Sequence, residues 1–188
     1  MLGGDVVVSH GATMAEPRAT VVSLDRLTRA GPFTYPTPAS VTYKRDDAHV
    51  LDSCADSEFD GVLCNMALMD IADLDAAFAS AARVLRSGGC FGFSAFHPCF
   101  NTPLSSEVMD ESGRNHRTVT GYYTEGYWKS DLRNGPPGKI GAYHRTLATL
   151  LNGLTRAEFD LAKVLEIPAS TASTPEVPFV IAVVATRR

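Results

Sequence analysis

The chain has 188 residues, 45% hydrophobic and 20% charged, with a formal net charge of −4. That length is enough for one compact domain with a sizeable core, and the composition is that of an ordinary globular protein. An acidic chain without a Lys/Arg cluster lacks the electrostatic footprint of a nucleic-acid binder, and no apolar run approaches the roughly 18 residues of a membrane span.

Residues 1–10 carry neither the basic flank nor the apolar stretch of a secretory leader, so the expected location is cytoplasmic. Asp5 to Ser9 is a β-branched apolar run and reads as a strand, as does Ala19 to Leu24. The segment HGATMAEPR between them is too short for a good helix, and Pro17 interrupts it. Residues 31–40 hold three prolines and a glycine and read as an irregular connection, which makes residues 1–40 an atypical N-terminal part.

From Val41 the pattern tightens. Val41 to Lys44 is a predicted strand. Asp60 to Cys64 is a nearly continuous apolar run, as in a parallel strand buried on both faces. Asp73 to Leu85 is an amphipathic helix, with Leu74, Phe78, Ala81, Ala82 and Leu85 at helical spacing. Ser87-Gly88-Gly89 is expected to end it, glycine supplying the left-handed cap. Cys90 to Phe96 is the next strand. Strand, helix and strand make one βαβ unit, with a right-handed crossover and a parallel sheet. Residues 97–142, rich in Gly, Pro, Asn, Ser and aromatics, are expected to be a long functional loop region. His144 to Leu154 is a second predicted helix, continued by Thr155 to Phe159. Ala162 to Ile167 and Phe179 to Thr186 read as the last two strands. Cys54, Cys64, Cys90 and Cys99 form no CxxC pair and read as buried free thiols rather than a zinc site; no metal site is expected.

The ordered string EFDGVLCNMALMDIADLDAAFASAARVLRSGGCFGFSAFHP resembles class I S-adenosylmethionine-dependent methyltransferases, especially the quinone-biosynthesis-like small-molecule branch. In that family an FD-hydrophobic strand leads through a short turn into a helix, then L-x-x-G-G, then a strand opening onto the substrate loops. Further along, His97-Pro98, the YYTEGYW segment (Tyr122 to Trp128) and GAYHRTL (Gly141 to Leu147) are similar to segments of one branch of the family. The resemblance implies a single α/β domain, a Rossmann-like and mostly parallel sheet with flanking helices. It implies S-adenosylmethionine as cofactor and a small molecule as methyl acceptor, with neither nucleic acid nor membrane as partner.

Sheets of this type bind ligands outside the carboxyl ends of their strands, near the switch in strand order. By resemblance, Asp47 and Ala48 sit at the adenine, the carboxylate accepting from the exocyclic amine and the amide meeting a ring nitrogen. Asp46 is the alternative, and a turn cap is the competing reading of either. Asn65 and Met66 would line the pocket near the sulfonium and ribose, whereas Asp60, at the strand start, reads as structural. His97, at the end of its strand, is the candidate catalytic base or orienting group. Tyr123, Glu125 and Trp128 are expected to shape the acceptor site. His144 and Arg145 would open a helix facing it, Arg145 being suited to grip a carboxylate or phosphate.

The departure from the family is the lack of its glycine-rich loop after the first strand. The nearest candidate, Ser9-His10-Gly11-Ala12-Thr13, has one glycine. In that register Ala19 to Leu24 is the second strand, and Asp25 is the acidic residue for the ribose hydroxyls. In another register VVVSHGATMAEPRA is the second strand and helix of an altered or truncated N-terminal part, and the first strand is absent. That loss would leave a gap or an exposed edge in the sheet, which a homo-oligomer could cover. The alternative to an active enzyme is therefore a relic or binding module that keeps the fold. A dinucleotide-dependent oxidoreductase is disfavoured, because G-x-G-x-x-G is absent.

Overall fold

The computed structural model describes the backbone of Asp5–His10, Arg18–Ser23 and Val41–Arg45, and residues 46–129, 141–168 and 176–188 in full. Seven strands form one sheet: β1 (Asp5–His10), β2 (Arg18–Ser23), β3 (Val41–Arg45), β4 (Phe59–Asn65), β5 (Leu85–Phe96), β10 (Phe159–Pro168) and β11 (Pro178–Arg187). Their order is β10-β11-β5-β4-β1-β2-β3. β2 and β3 are parallel, as are β4 and β5, while β11 is antiparallel to both β5 and β10. Five strands thus point one way, and β1 and β11 run against them.

The central position between β4 and β2 is occupied, so the expected gap is not there. β1 fills it in reverse, antiparallel to both neighbours, with Asp5 opposite Asn65 and Ser9 opposite Gly61. The backbone ladders on its two sides leave no central edge to cover.

The βαβ unit is as expected from the sequence, apart from its helix end. α1 (Leu74–Val84) is capped by Asp73, which accepts from the Ala76 N–H at 3.0 Å. It buries Leu74, Ala77, Phe78, Ala81 and Val84 at helical spacing. It ends on Leu85 in extended conformation, before the glycines. Leu85 already faces Phe59 in the β4–β5 ladder, so the sheet takes over from the helix there, and the residues between Leu85 and Cys90 bulge outward. Gly88 serves that bulge, with φ 77°, rather than a helix cap.

The second helix also starts later than predicted. α2 (Leu147–Arg156) is capped by Thr146, whose hydroxyl accepts from the Thr149 N–H at 3.1 Å. His144 belongs to β9 (Ala142–His144), which pairs with β8 (Gly126–Trp128), so neither His144 nor Arg145 lies on a helix. A separate hairpin joins β6 (Ser106–Met109) and β7 (Asn115–Thr118). The Phe159 end of the expected helix begins β10 instead.

The core lies between the two helices and one sheet face. Phe78 of α1 and Leu154 of α2 pack with Phe91 and Phe93 of β5, Phe159 of β10 and Ile181 and Val183 of β11. Cys54 and Cys64 are buried free thiols, and burial pushes the Cys64 thiol up to about 12. Cys90 is exposed, against expectation, because it alternates with Phe91 and points to the other face of β5. Among the described residues no helix is long and apolar enough to cross a membrane.

Candidate functional site

The carboxyl ends of β3, β4 and β5 gather the sequence candidates. After β3, the Asp46 carboxylate accepts from the Asp47 N–H at 2.8 Å and the Ser53 N–H at 2.7 Å. Burial pushes its pKa up, but the hydrogen bonds from Ser53 and Asp47 outweigh this and hold it below the usual value. One Asp47 oxygen accepts from the His49 N–H at 3.0 Å and meets His49 Nδ1 at 2.5 Å. His49 Nε2 in turn accepts from the Asp73 N–H at 3.2 Å. That acceptance places the ring proton on Nδ1, so His49 ties the Asp47 turn to the start of α1. The Ala48 carbonyl receives the Ser80 hydroxyl at 2.5 Å. The Ala48 N–H has no partner among the described residues.

After β4, Met66 adopts the left-handed conformation, φ 51°, which for a residue with a side chain costs about 1 kcal/mol or more. Its N–H donates to the Ser94 carbonyl at 3.0 Å and to Ser94 Oγ at 3.1 Å. The Ser94 hydroxyl donates to Asn65 Oδ1 at 2.6 Å. Ser94 of β5 therefore fastens the ends of the two strands and holds Met66 in its strained turn. Four residues on, burial pushes the Asp70 carboxyl up to about 6.

Beyond β5 a cleft opens, lined by Leu68, Met69, Ala95, Phe96, Trp128, Tyr143, His144 and Arg145, among others. Three of the expected acceptor-site residues, Trp128, His144 and Arg145, meet there. Three Arg145 hydrogen bonds go to backbone, however. Nη1 donates to the Leu68 carbonyl at 2.9 Å; Nη2 donates to the carbonyls of Ile71 and, at 3.0 Å, Ala72. The guanidinium also lies over the Tyr143 ring, 5.3 Å from its centroid. Arg145 therefore grips backbone rather than a ligand anion.

The other candidates lie apart from the cleft. Tyr123 is 88% exposed and does not line it. Glu125 accepts from the Thr146 N–H at 2.6 Å and the Thr149 hydroxyl at 2.7 Å, which makes it a second cap of α2. His97 is 1% exposed. Its Nε2 meets Glu166 Oε1 at 2.8 Å and its Nδ1 accepts from the Cys99 N–H at 3.3 Å, so both ring nitrogens are occupied. Its ring is thus held at both nitrogens by protein groups.

Asp25 lies outside the described residues, but β2 ends at Ser23, opposite Asp5 and level with Asn65, at the same end as the site. Ser9-His10-Gly11-Ala12-Thr13 does not follow a strand that ends there. Because β1 is reversed, Ser9 stands opposite Gly61, near the start of β4, and Gly11 onward lie outside the described residues. Sequence reasoning missed Ser94 and His49. Ser94, a polar residue inside an apolar strand near its carboxyl end, was the signal available.

The described family of methyltransferase domains matches residues 12–93. Among curated proteins none matches the chain. A solved S-adenosylmethionine dependent methyltransferase from Mesorhizobium loti is 28% identical over 80% of this chain and 72% of its own, with a TM-score of 0.71. A candidate S-adenosylmethionine dependent methyltransferase from Listeria monocytogenes is 25% identical over 81% of this chain and 71% of its own, with a TM-score of 0.69. A methyltransferase structure from Methanosarcina mazei, 18% identical over 80% of this chain and 72% of its own, shares the fold at a TM-score of 0.51.

Proposed function

We infer that this chain, a methyltransferase by its domain match and its class I fold, moves the methyl group of S-adenosylmethionine to a small molecule. The observation that carries the cofactor side is the Ala48 N–H. It is a donor without a partner among the described residues, at the end of β3 and next to the Asp47 carboxylate. An adenine needs that pair: a donor for a ring nitrogen and an acceptor for the exocyclic amine. A donor that no described residue completes is available to a ligand. Asn65 and Met66 supply an amide and a thioether for the ribose and sulfonium side.

The cofactor brings an activated methyl group. What the protein adds is alignment of the acceptor and a place for its proton. The cleft beyond β5 begins at Leu68 and Met69, just past Met66, so acceptor and donor would meet across the Met66 turn. His97 precedes Pro98 of the cleft wall and is tied to Glu166 of β10. The quinone-biosynthesis branch remains the family comparison for the acceptor class.

A second reading is a binding module that keeps the fold without turnover. One feature favours it: β1 ends at the amino end of β4, so the chain following β1 departs from the side opposite the site. Titration of S-adenosylhomocysteine into Asp47→Ala and Asn65→Ala variants tests the site. Each is expected to weaken binding tenfold or more while remaining folded. Unchanged affinity in both contradicts the assignment.

A further inference from the structure

Two histidines, His144 in the cleft wall and His97 next to its Pro98, have ring nitrogens in different states. His97 has both committed. His144, 5% exposed and part of the cleft wall, has one committed: Nε2 lies 2.8 Å from the Tyr122 carbonyl. A carbonyl only accepts, so Nε2 carries the ring proton and Nδ1 is left as a bare lone pair. Among the described residues Nδ1 has no hydrogen-bond partner, and it is not among the sealed, unpartnered side-chain atoms. A buried ring whose tautomer is fixed by backbone and whose basic nitrogen is open is the arrangement of a general base.

The surroundings fit that role. The Glu125 carboxylate caps α2 close by. Burial raises its pKa, but its hydrogen bonds to Thr149 and Thr146 outweigh this and hold it below the usual value. Apart from Asn101, the rest of the cleft's described wall is aromatic and apolar, with Trp128, Tyr143, Phe96 and Met69. Among the described residues of the wall the one cation is Arg145, which is engaged by the carbonyls of Leu68, Ile71 and Ala72.

We propose that the cleft takes an uncharged, planar acceptor bearing an O–H or N–H, and that His144 Nδ1 receives its proton. This rests on the methyltransferase reading above. The acceptor oxygen or nitrogen bonds to the methyl carbon. The carbon–sulfur bond breaks with its electron pair going to sulfur, which becomes a neutral thioether. The acceptor proton passes to Nδ1, and His144 leaves the step as an imidazolium.

Two measurements on the complex with S-adenosylhomocysteine test this, and a calorimetric check of that complex separates failure of the premise from failure of the proposal. First, diethyl pyrocarbonate acylates an accessible unprotonated imidazole nitrogen; peptide mapping is expected to find His144 modified and His97 spared. Modification of His97 with His144 untouched overturns the proposal. Second, 4-nitrophenol serves as a planar O–H probe whose phenolate absorbs in the visible. Binding to the wild-type complex is expected to raise the phenolate band, and His144→Gln to abolish that rise. Absence of binding, or an equal rise in the variant, overturns it.

Discussion

The guanidinium of Arg145 ends on the carbonyl of Leu68, 2.9 Å away and 77 positions earlier in the chain. With its bonds to Ile71 and Ala72, one side chain from the acceptor side holds the whole turn that runs from the strained Met66 to the Asp73 cap of α1. Arg145→Ala removes three charge-assisted bonds and leaves three carbonyls in a partly closed place. A loss of about 2–3 kcal/mol in urea unfolding is expected. Arg145→Lys, a single point donor, is expected to recover less than half of it.

Glu125→Ala tests the cap of α2. The residue completes the Thr146 N–H and the Thr149 hydroxyl, and its removal is expected to cost about 1 kcal/mol. Its folded pKa lies below the usual value. The stabilisation is therefore present above the unfolded pKa and fades as the pH falls through the folded one. The wild-type advantage over Glu125→Gln should shrink on acidification, as thermal melts at stepped pH would report.

Asp70 runs the other way. Burial raises its carboxyl pKa from the usual 3.8 to about 6, so the folded state binds the proton more tightly. Stability from that proton is complete below the unfolded pKa and is lost as the pH rises to about 6. Asp70→Asn is expected to stabilise the chain at neutral pH by about 1–2 kcal/mol after solvent screening, with no gain at pH values below the unfolded pKa. A pH-independent difference between the two proteins would contradict this.

Gly153 sits where α2 crosses α1. A Cβ there would stand 2.9 Å from Phe78, whose ring is fully buried against Phe91 and Phe93. Alanine has the better helix propensity by about 1 kcal/mol. The ring is held by Phe91 and Phe93, so the clash is expected to win and Gly153→Ala to destabilise by about 1–2 kcal/mol net.

Much of this was legible in the sequence for local reasons. The apolar run of β4, the spacing of Leu74, Phe78 and Ala81, and the alternation of β5 each encode a strand or helix through its own period. The ordered string they form carried the family. What failed depended on contacts distant in sequence. The direction of β1 is decided by what it pairs with, and DVVVS carries no mark of polarity. The start of α2 is set by Glu125, 21 positions before the Thr146 N–H that it receives. Arg145 reads as a free cation until the carbonyls of Leu68 to Ala72 are seen against it. His97 reads as an available base until Glu166 is placed on its Nε2, across 69 positions.

The central claim is that the ends of β3 and β4 still form a cofactor pocket. Calorimetric titration of the 188-residue chain with S-adenosylmethionine and S-adenosylhomocysteine tests it most directly. The account predicts micromolar binding, tighter for the demethylated product. No heat at millimolar ligand, from a chain shown by circular dichroism to be folded, would contradict it.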